Sequence, residues 1–183
     1  MPSPVGHAIG GLIAAFAVDS FTRRPYLTMP LLAASAVLAV TPDLDLLAGS
    51  HRTYTHSIGG VAIVGLLSWL SLRARHARSA RAAVVTAAYG SHVFLDWLSK
   101  DTREPSGVTA LWPFTAEYYQ SAWTLFGETS RRYWLPEEFI VGNIKAAMWE
   151  VAVLAPVLFV AWTAWSARTL KTQIEDRKTN NAA

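Results

Sequence analysis

The sequence predicts an all-α protein, a polytopic helical membrane bundle of about five helices with a long irregular excursion before the last helix. Hydrophobic residues make up 52% of the 183 residues, which is above the usual range for soluble domains. They concentrate in five apolar segments whose composition and flanks are typical of helices. Between the fourth and fifth segments, the stretch 99–140 is instead rich in Pro, Gly, charged and aromatic residues. We expect it to form at most short helices.

The first two predicted helices, 8–18 and 27–40, are short for membrane spans, because a full span needs about 20 apolar residues. The third, 57–72, carries no charged residue and is close to spanning length. Ser57 stands at its start, where a side-chain cap is expected. These lengths leave a soluble bundle with buried helices open as an alternative.

The fourth predicted helix, 82–98, is also largely apolar. The fifth, 141–165, is the longest and reaches spanning length comfortably. It contains Lys145 and Glu150, and charged residues inside a span are functional candidates. Glu150 is expected either to complete a metal position or to pair with Lys145 or another cation.

We interpret residues 1–170 as one membrane-embedded domain and residues 171–183 as a polar, disordered tail. If the five helices alternate in direction, every segment that carries His and Asp clusters meets at one end of the bundle. Most basic residues, including those in the loop 73–81, then gather at the opposite end. The excess of Arg and Lys places that basic end in the cytoplasm of a multi-pass membrane protein.

Charge and cysteine content narrow the classes of function. The net charge is +3, but the basic residues form no stripe with interleaved aromatic residues, so we expect no nucleic-acid partner. The chain has no cysteine, which excludes thiolate zinc sites and disulfides. Any metal ligands must come from His, Asp and Glu, a set that favours an open catalytic site over a closed structural one.

The first candidate ligand pair lies in the fourth helix. His92 and Asp96 are four residues apart, so their side chains project from the same helical face and can reach one ion. The alternative is a core histidine that is hydrogen-bonded to a neighbouring carboxylate.

A second pair, Asp43 and Asp45, follows the second helix. Residues two apart in an extended segment point the same way, and Pro42 breaks the helical ladder just before them. An Asp-rich turn without a ligand is the alternative for this pair.

The segment HRTYTH holds His51, Arg52 and His56 within six residues. Arg52 cannot bind a metal, but its guanidinium can hold a carboxylate or a phosphate through two hydrogen bonds. Thr55 can cap the third helix or orient a ligand, and capping is the expected role. His7 opens the first helix at the same end of the bundle, which raises it from a structural histidine to a candidate ligand.

Five motifs stand in order along the chain: GHAIGG at 6–11, TPDLD at 41–45, HRTYTHS at 51–57, GSHVFLDWLSKD at 90–101 and SGVTALWPF at 106–114. Together they resemble the YdjM-type, membrane-bound metal-dependent hydrolases of bacterial inner membranes. The resemblance covers residues 6 to about 114, whereas 115–183 shows no matching motif. It implies a location in the inner membrane and a hydrolysis that depends on a metal.

That family is similar, more distantly, to zinc-dependent phospholipase C, an all-helical enzyme. The similarity implies that Asp43, His56, His92 and Asp96 surround one divalent metal, zinc above all. It also implies that His7 and Asp96 reach toward a second ion. Because no histidine follows His92 in the chain, a third position lacks a ligand, and one or two ions are expected.

We therefore expect a metal-dependent hydrolase that acts on a phosphoester or lipid-like substrate at a membrane face, with membrane lipid as its partner. A bound ion would polarise the electrophilic oxygen. Arg52 would stabilise developing negative charge, and Asp45 would accept a proton from water. His51 is a further candidate catalytic residue. The alternative is a non-catalytic membrane protein whose His/Asp cluster binds metal for structure or transport.

Overall fold

The computed structural model describes residues 1–22, 24–49, 52–72, 77–130 and 132–181. Over these residues the chain is all-helical and contains no strand, which confirms the predicted fold class. Two 3-10 helices, Thr41–Ala48 and Tyr54–His56, lie between the second and third α-helices. The five α-helices are α1 Pro4–Ser20, α2 Met29–Leu38, α3 Ile58–Ser71, α4 Arg78–Trp97 and α5 Pro136–Asn181.

Side chains cap the starts of the first three helices. Ser3 precedes α1, and its Oγ accepts a hydrogen bond from the Gly6 N–H at 3.3 Å. Ser57 precedes α3 and accepts from the Gly60 N–H at 3.0 Å, so the expected cap is present. Each cap satisfies one of the backbone donors that a helix start leaves unpaired.

The second predicted helix, 27–40, corresponds to α2, and a 3-10 helix follows it. The α-helix covers Met29–Leu38, and the chain then tightens into the 3-10 helix Thr41–Ala48. Pro42 accounts for the change, because it lacks the N–H that an α-helix would need at this position. The tighter winding carries the TPDLD motif out of α2 and toward the neighbouring helices.

The last helix is longer than predicted. α5 has 46 residues and continues to Asn181, where the sequence had suggested a disordered tail from residue 171. Lys171 and Glu175 have the i, i+4 spacing of a favourable helical pair. Asp176 also lies 3.7 Å from Arg24, which follows α1. The helix therefore continues through the polar segment, where Asp176 lies close to Arg24.

α1 and α5 run parallel to each other. At the start of α1, Ser3 contacts Glu150 of α5. At the end of α1, Asp19 accepts a 2.7 Å hydrogen bond from the indole of Trp165, and Arg168 donates to the Asp19 and Ser20 carbonyls. The 18 residues from Glu150 to Arg168 rise about 27 Å, so two polar contacts hold the helices in register at either end of α1.

α4 lies at the centre of the bundle and packs against α1, α2 and α3. One of its faces is buried along its whole length. Ala82, Val85 and Tyr89 lie on this face, and His92 and Asp96 continue it to the end of the helix. His92 and Asp96 therefore face the interior of the bundle rather than the lipid or solvent around it.

The excursion between α4 and α5 is anchored on the start of α3. The N–H groups of Ile58 and Gly59 donate to the carbonyls of Ala110 and Trp112, both at 2.9 Å. The Trp112 ring lies so close that a Cβ on Gly59 would be 2.4 Å from it. This contact requires glycine and ties the excursion to the loop that carries His56.

Two helical segments, Met29–Leu47 and Pro136–Asn181, are long and apolar enough to cross a membrane. Large apolar side chains on the outside of α3 and α5 are exposed, among them Leu66, Leu70 and Phe159. Exposed apolar surface of this kind is typical of helices that face lipid.

Candidate metal centre

The structure brings together the five side chains that the sequence singled out as metal ligands. They come from four places in the chain: the start of α1, the first 3-10 helix, the second 3-10 helix and the last turn of α4. The three imidazoles are fully buried, and the Asp96 side chain is too. The five residues are His7, Asp43, His56, His92 and Asp96.

Asp96 is the centre of the cluster. Its Oδ2 lies 3.1 Å from Nε2 of His92 and 3.3 Å from Nε2 of His56. Its Oδ1 lies 3.4 Å from Nε2 of His7. The two carboxylate oxygens thus face different histidines, the arrangement required of a carboxylate that bridges two ions.

Asp43 lies on the other side of the same two histidines. Its Oδ1 is 3.6 Å from Nε2 of His56 and 3.7 Å from Nε2 of His92. Its side chain is 21% exposed, whereas the histidines are closed off. Asp43 is therefore the member of this cluster that is accessible from outside the protein.

The donor atoms fit a small divalent cation. Two ligand atoms that each lie about 2.1 Å from a tetrahedral ion are about 3.4 Å apart, and the five nitrogen–oxygen distances run from 3.1 to 3.7 Å. Both ring nitrogens of His7, Nε2 of His92 and both oxygens of Asp96 lack hydrogen-bond partners among the described residues. Buried polar atoms without partners are costly, and a cation would satisfy them.

Outer hydrogen bonds turn two of the imidazoles toward the cluster. Nδ1 of His92 lies 2.7 Å from the Ala39 carbonyl, so this nitrogen carries the hydrogen and leaves Nε2 free to bind. Nδ1 of His56 lies 3.2 Å from Oδ2 of Asp45. Metal-binding histidines ordinarily use their second nitrogen in this way.

Asp45 therefore contacts the Nδ1 side of the His56 ring, whereas the cluster lies on its Nε2 side. Its Oδ2 accepts from the Thr55 hydroxyl at 2.7 Å and from the Arg52 N–H at 3.2 Å. The Tyr89 hydroxyl holds this loop by donating to the Thr55 carbonyl at 2.9 Å. The sequence suggested Asp45 as a proton acceptor, and in the structure its Oδ2 contacts Nδ1 of His56, where it can orient the ring. Thr55 contributes to that network and leaves the capping of α3 to Ser57.

Arg52 has an unusual backbone and a paired side chain. Its φ angle is 68°, in the left-handed region that non-glycine residues rarely adopt. The guanidinium forms an ion pair with Asp101 in the excursion, and its side chain is largely buried. The candidate catalytic residue His51, next to it, lies outside the described residues.

The carboxylates change the protonation of His56. Burial by itself would lower the pKa of this imidazole, but the neighbouring Asp43 and Asp45 carboxylates favour the charged form and raise its pKa to about 9. Without a metal, His56 is thus an imidazolium at neutral pH. A cation that binds here must displace that proton.

The fold and the cluster together define a helical membrane protein with a buried His/Asp centre. A family model described as YdjM inner membrane protein matches residues 1–171, so the chain belongs to the YdjM inner membrane protein family. This confirms the resemblance seen in the motifs and the location in the inner membrane. No match was found among curated proteins or among solved structures.

Some residues of the centre left no clear signal in the sequence. The Ala39 carbonyl that orients His92 is a backbone group with no side-chain signature. The sequence singled out Glu150 but not its partner Ser3, which is 147 residues away and meets it because α1 and α5 are parallel. The spacing of Asp45 two residues after Asp43 was visible, but it does not distinguish a ligand from a group that orients one.

Proposed function

We propose that this protein is a membrane-bound, metal-dependent hydrolase that acts on a phosphoester or another lipid-like substrate at the membrane face. The observation that carries the proposal is the convergence of three histidines and two aspartates at distances suited to a divalent cation. They lie at one end of an apolar bundle, and such groups are expensive to bury unless they hold a metal or each other.

Asp43, His56, His92 and Asp96 would hold one ion, and His7 with Asp96 would hold a second. Zinc suits this set, because imidazole nitrogen and carboxylate oxygen are its usual ligands in catalytic sites. A bound divalent cation would polarise a phosphoryl or acyl oxygen and make water a better nucleophile near neutral pH. Asp96, with an oxygen toward each group of histidines, would keep two ions at a fixed separation.

The substrate would approach from the side of Asp43. This carboxylate is the partly exposed member of the cluster. An apolar cavity of about 370 Å³ is lined by Ala8, Val40, Thr41 and Leu44, which are neighbours in sequence of His7 and Asp43. An acyl chain is the kind of group that such a cavity accommodates.

Arg52 would recognise the negative charge of the substrate. Its guanidinium pairs with Asp101, and both line a polar cavity of about 250 Å³ together with Arg103 and Glu128. An anionic group that entered this cavity would compete with Asp101 for the guanidinium. Asp45 would act by keeping the Nε2 of His56 directed at the cluster.

The alternative function is a non-catalytic membrane protein that binds or transports metal. The complete burial of His7, His56 and His92 favours it, because a catalytic ion must keep a position open to substrate. The exposure of Asp43, and the apolar cavity lined by its sequence neighbours Thr41 and Leu44, favour hydrolysis.

The test combines metal analysis with a hydrolysis screen. The protein would be purified in nanodiscs, its zinc, manganese and iron content measured, and fluorogenic phosphodiesters and phospholipids screened as substrates. We expect one or two ions per chain and hydrolysis that a chelator removes and zinc restores. Bound metal without turnover of any phosphoester would favour the alternative, and absence of metal would overturn both.

A further inference from the structure

Glu150 is a buried carboxylate in the middle of a helix whose other side chains are mostly exposed and apolar. It is 1% exposed. Its Oε1 accepts a 2.8 Å hydrogen bond from the Ser3 N–H, and its Oε2 accepts one from the Ser3 hydroxyl. Lys145, the cation nearest to it along α5, is exposed. Glu150 is thus satisfied by the start of α1, neither by a lysine nor by the histidine cluster.

The contact has the form of a capping box whose acid comes from another helix. In a capping box, the Glu or Gln at the third helical position accepts from the N–H of the N-cap residue. In α1 the N-cap is Ser3 and the third position is Gly6, which has no side chain. A Cβ on Gly6 would lie 2.6 Å from Oε2 of Glu150. The carboxylate therefore fills the space that a side chain at Gly6 would take.

This contact lies at the start of the first turn of α1, which carries His7, a member of the candidate metal centre. The N–H of His7 donates to the Ser3 carbonyl at 3.1 Å, the first hydrogen bond of α1. His92 and His56 have outer hydrogen bonds that orient their rings. Neither ring nitrogen of His7 has one among the described residues. The position of the His7 ring therefore depends on the position of the first turn of α1.

We propose that Glu150 is a positioning residue for His7. Its carboxylate, which belongs to α5, caps the start of α1. The cap fixes the axial position and the rotation of α1, and these place His7 against Asp96. The inference rests on the proposed metal centre. A negative charge at a helix start also interacts favourably with the helix dipole. Both partners are buried, so little water reaches the cap.

The test uses Glu150→Gln, which keeps the shape of the side chain and removes its charge. The matched control is Asp19→Asn, at the far end of the same helix, where Asp19 accepts from Trp165 and from the Tyr26 N–H. Both changes loosen a buried contact between α1 and α5, and only the first lies beside His7. Two readouts are measured on each variant: cobalt binding, followed by its visible spectrum, and the distance between spin labels at Val5→Cys and Met148→Cys, two exposed positions. The native chain has no cysteine, so no other site is labelled.

We expect Glu150→Gln to broaden the label distance and to weaken the ion position that includes His7 by roughly 10–100-fold, the usual effect of losing an outer partner of a ligand. Asp19→Asn should leave cobalt binding unchanged. Equal losses in both variants would show a merely structural role and overturn the proposal, as would an unchanged distance and affinity in Glu150→Gln. If the wild-type chain binds no cobalt, the proposed metal centre fails, and the label distance still reports whether the cap exists.

A second variant, Gly6→Ala, keeps the proposal testable if Glu150→Gln fails to fold. Gly6→Ala places a methyl group where the carboxylate lies, while alanine is the better helix former. We expect cobalt binding at the His7 position to fall despite the higher helix propensity. An unchanged or tighter affinity would show that the position of Glu150 does not matter for His7.

Discussion

The imidazole of His7 is stacked on that of His92, with ring centroids 3.7 Å apart and an angle of 16° between the planes. The stack joins the first turn of α1 to the last turns of α4. The position of the first turn of α1 therefore decides how the His7 ring lies against a second candidate ligand.

Replacing His7 should separate the two proposed ion positions. In His7→Gln, the position formed by Asp43, His56, His92 and Asp96 keeps all its ligands, so we expect a wild-type stoichiometry of two ions to fall to one. Metal content of the dialysed protein measures this. A wild-type content of a single ion that the variant retains at full affinity would show that His7 is not a ligand.

Asp96→Asn should release metal while the protein stays inserted and folded. Asparagine keeps the shape of the side chain but removes the negative charge that faces three histidines and would attract a cation. We expect affinity to fall by more than the roughly 10–100-fold attributed to outer partners, and hydrolysis to be lost. Metal content and melting temperature, measured on the same sample, check this. A structural aspartate would instead lower the melting temperature and leave bound metal unchanged.

Asp45→Asn should weaken metal binding without changing the number of ions. The amide can still face Nδ1 of His56, but it no longer favours the tautomer that directs Nε2 at the cluster. We expect a loss of about 10–100-fold in affinity and normal stoichiometry at saturating zinc. If Asp45 is instead the proton acceptor in hydrolysis, the variant will bind zinc normally and lose turnover.

The metal-free protein should show a stability that depends on His56. The pKa of this imidazole is about 9 in the folded chain, above its ordinary value of 6.5. The stabilisation is therefore fully present below pH 6.5 and is lost as the pH rises through 9. We expect the melting temperature of the chelated protein, relative to His56→Asn, to fall between pH 6.5 and pH 9.

Metal affinity should change with pH in the opposite direction. Binding displaces a proton from His56, so zinc affinity is expected to rise across the same interval and then level off. Titrations at several pH values in buffers of different ionisation enthalpy measure the released proton. A pH-independent affinity would remove His56 from the ligand set.

The two ends of the bundle should face opposite sides of the membrane. Phe21, at the basic end of the bundle, is 90% exposed. Leu47, at the end that carries the candidate metal centre, is 88% exposed. The positive-inside rule puts the basic end in the cytoplasm. An impermeant maleimide added to intact cells should label Leu47→Cys and spare Phe21→Cys. The reverse pattern would invert the orientation.

Much of the fold could be predicted because apolar segments in this chain are continuous and well separated. Alternation of helix direction alone was enough to bring His7, Asp43 and Asp96 to one end. The end of α5 could not be predicted, since charge pairs such as Arg24 with Asp176 depend on a neighbouring element. The same limit applies to Glu150, whose partner Ser3 is distant in sequence.

Because α1 and α5 are parallel and held in register, the thickness of the surrounding bilayer affects the candidate metal centre. The polar contacts at Glu150 and Arg168 are about 27 Å apart along one continuous helix, close to the roughly 30 Å hydrocarbon layer of a typical bilayer. Hydrophobic mismatch is relieved by tilting a helix or by deforming the lipid. A thicker or thinner bilayer would therefore act on the α1 start, and through it on the placement of His7.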